Sequence, residues 1–332
     1  MIYICGGKYI RLYPILYARL IFSIFRPAPT PLSREKPQSP VPSGTAGPVR
    51  EIIFRFRVKS YILTFADMKR IDFSKYQGAG NDFVLIDARA ADPELTRDEV
   101  RRLCDRRFGI GADGLMTLEN DPAGTDFYMR YYNSDGGEST MCGNGGRCIA
   151  LFARHLGIGG RTERFRSSDG IHEAERLGDG QWKLKMIDVA QVRPLGDGRS
   201  WFVFTGSPHY VEFTDDVAQV DVAVRGAEIR RRAEFAAAGG TNVNFVQVLE
   251  PGRIRVRTFE RGVEAETLAC GTGVTAAALA THRTRQPECR DFTVEAMGGI
   301  LGVKFATRPD GSFSDIFLTG PAERVFTGRI EL

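Results

Sequence analysis

Residues 138–146 read Glu138-Ser139-Thr140-Met141-Cys142-Gly143-Asn144-Gly145-Gly146, and residues 266–273 read Glu266-Thr267-Leu268-Ala269-Cys270-Gly271-Thr272-Gly273. The pattern Glu-(Ser/Thr)-x-x-Cys-Gly-x-Gly therefore occurs twice, with its cysteines 128 positions apart. A helix-like run follows each copy, at 147–156 (RCIALFARHL) and 274–282 (VTAAALATH). Internal repetition of this kind predicts two related halves rather than one unit. Taken singly, a Cys-Gly-x-Gly is equally a buried cysteine beside a helix cap. The recurrence, with Glu four residues ahead each time, points to chemistry.

A cysteine serves as base or nucleophile only as thiolate, and an unperturbed thiol has a pKa of about 8.5. At a helix N-terminus the unpaired N–H groups and the dipole pull that value down, in known cases to roughly 3.5–7.5. Gly143, Gly145, Gly271 and Gly273 let backbone N–H groups approach an anion without interference from a Cβ. A site of this kind suits a thiolate together with a substrate carboxylate. Removing the α-hydrogen of an amino acid places charge on that carboxylate, where two helix N-termini would stabilise it as an oxyanion hole does. Inversion needs a base on one face and an acid on the other, and two thiols in opposite protonation states supply both. Hydrolysis would need only one nucleophile.

Outward from the motifs, residues 71–87 read as strand, glycine turn and strand. Thr96-Arg97-Asp98-Glu99 is a capping box opening a helix to 107, with Val100, Leu103 and Cys104 on its inner face. Strands are expected at 115–118 and 127–132, and a meander over 164–189 with turns at Asp169-Gly170 and Gly178-Asp179-Gly180. The second half opens on a strand at 201–204 and the turn Thr205-Gly206-Ser207-Pro208-His209. An arginine-rich helix is expected over 222–235, strands at 244–249 and 254–259, and a strand-rich tail from 292. Arg230-Arg231-Arg232 reads as a solvated helix face, Cys148 as core, and His155, His172 and His282 as structural or solvated. Cys289 is assigned nothing.

The chain has 332 residues, 42% of them hydrophobic and 26% charged, which is ample for a soluble core. Its net charge of +4 is misleading. Residues 1–67 carry ten Lys/Arg and three Asp/Glu, which leaves −3 for the remainder and no nucleic-acid footprint. Six cysteines without a Cys-x-x-Cys pair make neither a disulfide scaffold nor a zinc ribbon, and fit a reducing cytoplasm. The apolar run 2–25 is broken by Lys8, Arg11 and Arg19, so no membrane span is expected. Seven prolines lie between Pro27 and Pro48. Residues 1–67 are accordingly read as a disordered extension or as translated upstream sequence, with Met68 as the start.

GAGNDF (78–83), YYNSDGGESTMCGNGGRC (131–148), GSPHYV (206–211), TNVNF (241–245) and FERGVEAETLACGTG (259–273) together resemble the diaminopimelate epimerase family. The resemblance runs from about residue 68 to the C-terminus. It implies an α/β fold of two pseudo-symmetric domains, each a mixed or antiparallel sheet wrapped around a helix. The expected limits are 68–189 and 190–319, with a C-terminal strand near 320–332 returning to the first domain. It also implies interconversion of LL- and meso-diaminopimelate for lysine and peptidoglycan synthesis, without pyridoxal phosphate, other cofactor or metal, by a cytoplasmic homodimer.

Carried over by motif, Cys142 and Cys270 are the acid/base pair, and Gly143-Asn144 and Gly271-Thr272 bind the reacting carboxylate through backbone N–H groups. Asn81, Asn133, Ser207, Asn242, Glu260 and Arg261 match substrate-binding positions, Arg261 suiting the distal carboxylate by its guanidinium fork. His209 and Glu260 match positions that tune the thiols. Three departures stand out. Asp113-Gly114 lies where many members have Gln, Ser207 replaces an Asn, and one extra residue separates Glu260-Arg261-Gly262 from Cys270. Two other readings compete. A proline or hydroxyproline racemase also pairs two such cysteines but tends to carry His where Asn144 stands and has no use for Arg261. A non-enzymatic redox switch would link Cys142 and Cys270 as a reversible disulfide.

Overall fold

The computed structural model describes residues 69–332 apart from residue 197; the extension expected at 1–67 lies outside them. The first half contributes β1 (Arg70–Gly78), β2 (Asn81–Asp87), helix α1 (Arg97–Cys104), β3 (Gly114–Glu119), β4 (Phe127–Asn133) and β5 (Glu138–Ser139). Helix α2 (Gly143–His155) and strands β6 (Thr162–Ser167), β7 (Gly170–Gly178) and β8 (Gln181–Lys185) complete it. The second half repeats the order. It has β9 (Val192–Pro194), β10 (Ser200–Phe204), β11 (Pro208–Phe213), helix α3 (Val222–Arg230), β12 (Asn242–Glu250), β13 (Arg253–Glu260) and β14 (Ala265–Thr267). Helix α4 (Gly271–Thr284), β15 (Asp291–Ala296), β16 (Gly299–Thr307), β17 (Phe313–Pro321) and β18 (Glu323–Glu331) follow.

The pairings show the duplication. In the first half β1–β2, β3–β4, β6–β7 and β7–β8 are antiparallel, while β2–β3 and β4–β6 are parallel. The second half matches strand for strand, with parallel steps at β11–β12 and β13–β15. A parallel step needs a crossover, and the segments carrying α1, α2, α3 and α4 supply them. Antiparallel β8–β17 joins the halves, with Leu184 opposite Leu318. The last strand, β18, pairs with β1, and β9 pairs with β10, the strand of the second half that corresponds to β1.

Local chemistry explains the elements. The β1–β2 hairpin turns on Ala79 and Gly80 alone, both at positive φ (53° and 84°), the geometry of a type I′ turn. Thr96 and Glu99 close their capping box reciprocally, and Val100, Leu103 and Cys104 are buried beneath α1. Helix α2 buries Cys148, Ile149, Phe152 and Ala153, and α4 is buried along most of its length through Val274 and Ala276 to Ala280. Small side chains let the sheet close tightly around this second helix. Both helices belong to one continuous apolar core that also takes in Trp182 of β8 and Leu318 of β17.

The helix expected over 222–235 is shorter. It ends at Arg230, Arg232 leaves helical geometry (ψ 143°), and a 3₁₀ turn covers Ala233–Ala238. The turn delivers Phe235 to the core, stacked on Phe202 at 6.1 Å and edge-on to Tyr210 at 6.3 Å. Aromatic burial outweighs the continuation of an exposed arginine-rich helix. Among the described residues no helix is long and apolar enough to cross a membrane.

Candidate active site

Cys142 and Cys270 occupy equivalent positions, each the extended N-cap residue of its half's central helix, α2 and α4. The two N-termini meet. A Cβ placed on Gly271 would lie 3.3 Å from Gly143 Cα and 2.9 Å from Leu318 Cδ2, and one on Gly143 would lie 3.0 Å from that same methyl. Glycine at both first-turn positions lets the helices converge this closely, since a methyl at either would press on the end of the Leu318 side chain. Both thiols line a single cleft of about 1140 Å³. Asn81, Asn133, Asn144, Ser207, Asn242, Glu260, Arg261 and Thr272 line it too, together with Gly143 and Gly271. Of the residues carried over by motif, His209 stands behind the wall, fully buried.

On the first-half side, Asn81 leaves the tight turn into β2 with its amide nitrogen held by the Asp113 carboxylate at 2.6 Å. Its carbonyl oxygen accepts from Asn144 Nδ2 at 3.3 Å and from the Cys142 sulfur at 3.7 Å. Arg147, wholly buried on α2, donates to Asn144 Oδ1 (2.9 Å), Gly143 O (3.2 Å) and Pro321 O (3.2 Å). The second-half side holds Cys270 Sγ 3.5 Å from Thr272 Oγ1, which lies 3.3 Å from Ser207 Oγ. Ser207 in turn meets His209 Nε2 at 2.9 Å and Asn242 Nδ2 at 3.2 Å. His209 thus reaches the sulfur through two hydroxyls and contacts neither thiol itself.

The electrostatics differ from the sequence expectation of lowered thiols. Burial pushes Cys142 up; the Gly145 and Asn144 N–H groups and the Arg147 charge pull it back, and Glu260 adds to the rise. Burial pushes Cys270 well up, and Glu260 raises it further against the Thr272 hydroxyl and the Gly273 N–H. Desolvation of a thiolate here exceeds what a helix N-terminus returns. Glu260 is itself raised, chiefly by burial and also by Asp113, with the Thr267 hydroxyl (2.5 Å) and Cys270 opposing. His209 is pushed down to about 3 by burial and the Arg261 charge, so its ring is neutral at physiological pH.

Several contributors have no place in the sequence nominations. Asn244 donates to His209 Nδ1 (3.1 Å) and to Tyr210 O (2.9 Å), and Thr258 donates to Asn244 Oδ1 (3.0 Å). Thr205 Oγ1 donates to Thr272 O at 3.0 Å, which steadies the start of α4. The alternation in TNVNF held the signal for Asn244, since Asn242 and Asn244 fall on one face of β12. Nothing in the sequence marked Arg147. Among the described residues no three His, Cys, Asp or Glu side chains cluster as a metal site would require.

A family model described as diaminopimelate epimerase matches residues 73–192 and 201–325. A diaminopimelate epimerase of Flavobacterium psychrophilum is 47% identical over 253 residues, 76% of this chain and 97% of that protein. Another, from Chlorobaculum tepidum, is 43% identical over 261 residues, 77% of this chain and 99% of that one. Among solved structures, a Bacillus anthracis phenazine biosynthesis protein of the PhzF family superposes with a TM-score of 0.62 at 14% identity. That match covers 80% of this chain and 99% of the other, and it shows a shared fold.

Proposed function

The chain belongs to the diaminopimelate epimerase family and is an isomerase, and from that premise we propose that it inverts one α-carbon of LL-2,6-diaminopimelate to give the meso form, using Cys142 and Cys270 as the acid–base pair. The observation that carries this reading is the meeting of two cysteine-capped helix N-termini on one cleft. A substrate carboxylate laid across that junction accepts the N–H groups of the Gly143-Asn144 and Gly271-Thr272 turns, with its α-carbon between the sulfurs. One thiolate takes the α-proton as the C–H electron pair moves into the carboxylate. The opposite thiol returns a proton to the other face, so one proton leaves and one arrives. Both helix dipoles act on the charge only as it develops, which is where stabilisation lowers a barrier.

Burial that disfavours a thiolate also makes it a stronger base once formed, so the raised thiols suit abstraction from carbon. The far amino-acid head meets Arg261, whose fork pairs with the distal carboxylate, while Asn81, Asn133, Ser207, Asn242 and Glu260 accept and donate around it. His209 tunes Cys270 from behind the cleft wall, and Glu260 tunes it from within the cleft. The chemistry needs no cofactor or metal, and acts in lysine and peptidoglycan precursor synthesis. We assign the lobes as 68–189 with β18 and 190–319, and the working form as a cytoplasmic homodimer. Purified protein kept reduced and given LL-diaminopimelate should form the meso isomer, and Cys142→Ser should stay folded while losing turnover. Absence of meso product from the unaltered protein would overturn the assignment.

A further inference from the structure

The two sulfurs sit at the ends of hydrogen-bond chains that run in opposite senses. Around Cys142 the directions are fixed by an obligate donor and an obligate acceptor. Arg147 can only donate, so Asn144 receives it on Oδ1 and turns its amide N–H groups to Ala269 O (2.8 Å) and Asn81 Oδ1. The Asp113 carboxylate accepts from the Asn81 amide nitrogen, so Asn81 shows its carbonyl oxygen to Cys142. A carbonyl oxygen accepts a proton from S–H and opposes S⁻.

Around Cys270 the directions are reversed. Tyr210 O is an acceptor only, so the Asn244 group facing it is the amide nitrogen, which also donates to His209 Nδ1. With that ring neutral, the proton lies on Nε2 and is donated to Ser207 Oγ. Asn242 adds a second donor to Ser207, its own orientation set by Pro208 O (3.2 Å) and by the Arg261 N–H on its Oδ1 (2.9 Å). Both lone pairs of Ser207 are then filled, and its hydrogen goes out to Thr272 Oγ1. Thr272, having accepted, donates to Cys270 Sγ. A sulfur that receives a hydroxyl proton is stabilised as the anion.

We infer that in the free protein Cys270 gives up its proton before Cys142 does, and that Asp113, Asn81, Ser207 and Thr272 are the positioning residues that impose this order. The inference rests on the two-thiol reading above and adds which face of the substrate meets the base first. Two of these four, Asp113 and Ser207, are the departures noted in the sequence. Glu260, itself raised by burial, pushes both sulfurs up and accepts from Cys270, so at that sulfur it opposes the hydroxyl chain, and at Cys142 it acts in the same sense as the Asn81 carbonyl. Arg147 favours a Cys142 thiolate by charge, but its effect ranks below those of burial, the Gly145 and Asn144 N–H groups and Glu260. The Tyr131 ring beside Cys142 stays neutral, its hydroxyl pushed far up by burial.

The test is the pH dependence of iodoacetamide alkylation of each cysteine in the reduced full-length protein without substrate, resolved by peptide mass spectrometry. Inflexion positions report protonation independently of how exposed each sulfur is. Cys270 should show the lower inflexion. Thr272→Val should raise it by about one pH unit, a roughly tenfold slower modification below the inflexion, without moving Cys142. Ser207→Ala should act in the same direction, and provides the readout if Thr272→Val does not fold. Asp113→Asn should lower the Cys142 inflexion, since Asn81 is then free to present its N–H. A lower inflexion at Cys142 in the unaltered protein, or a Cys270 inflexion that neither Thr272→Val nor Ser207→Ala shifts, would overturn the assignment. Neither readout uses diaminopimelate, so failure of turnover with these inflexions intact would count against the substrate alone.

Discussion

Gly271→Ala should separate turnover from stability at the helix junction. The added methyl would stand 2.9 Å from Leu318 Cδ2 and 3.3 Å from Gly143 Cα, against an ordinary carbon contact of about 3.5–4.0 Å. The leucine methyl can swing aside; the backbone of α2 must recede by roughly 0.3–0.5 Å to restore normal contact. Overpacking of this size costs about 1–3 kcal/mol, which lowers the melting temperature by roughly 2–10 °C in a body of this size. It also spreads the two N–H turns that hold the reacting carboxylate. A 1 Å misplacement can cost about 100-fold in rate, so a shift under half of that should lower kcat about tenfold. Leu318→Val in the same protein should recover part of the melting temperature but not kcat, because it clears the methyl and leaves Gly143 where it was. Calorimetry and a steady-state meso-formation assay on the single and double variants read both quantities. Full turnover with an unshifted melting temperature in Gly271→Ala would refute the close approach of the two helices.

Arg261→Lys keeps the charge but loses the fork, and should raise KM about tenfold or more, since a charge-assisted hydrogen bond contributes roughly 1.5–3 kcal/mol; an unchanged KM would remove Arg261 from the distal carboxylate. Glu163 is wholly buried with no hydrogen-bond partner on either carboxyl oxygen, and burial lifts it to about 7, with Arg154 opposing. A carboxyl raised above its unfolded value keeps its proton in the folded state while the unfolded chain loses it. The urea midpoint should therefore fall as pH rises from about 4.5 to 7, and Glu163→Gln should flatten that fall, by up to about 3 kcal/mol at the upper end. Gly273→Ala would push a methyl to 2.4 Å from Asn244 Oδ1. It should disturb the His209 support and lower kcat more than KM, read from the same steady-state assay.

The repeated Glu-(Ser/Thr)-x-x-Cys-Gly-x-Gly pattern carried most of the fold, because each copy ends a strand and starts a buried helix in one step. Strand alternation located β1 to β4 and the β6–β8 meander, and Thr96 with Glu99 located α1. The early end of α3 was not legible, since the pull of Phe235 toward Phe202 and Tyr210 depends on strands far away in the chain. The joining of the halves through β8 and β17 was equally hidden: Leu184 and Leu318 look like any alternating core residues. At the site, local sequence named the thiols but gave the wrong sign for their titration. A helix N-terminus can be read from Cys-Gly-x-Gly, whereas the degree of burial is a property of the assembled cleft. Arg147 escaped for the same reason, since an arginine in a first helical turn reads as solvated until the return of the chain at Pro321 covers it.

The two-thiol scheme is tested most directly by where deuterium first appears when LL-diaminopimelate is turned over in heavy water, with recovered substrate and product analysed at low conversion. If separate sulfurs remove and return the proton, meso product carries one α-deuterium while recovered LL substrate stays unlabelled. Label entering recovered substrate as fast as product would mean that one group does both, and would contradict the pairing of Cys142 with Cys270.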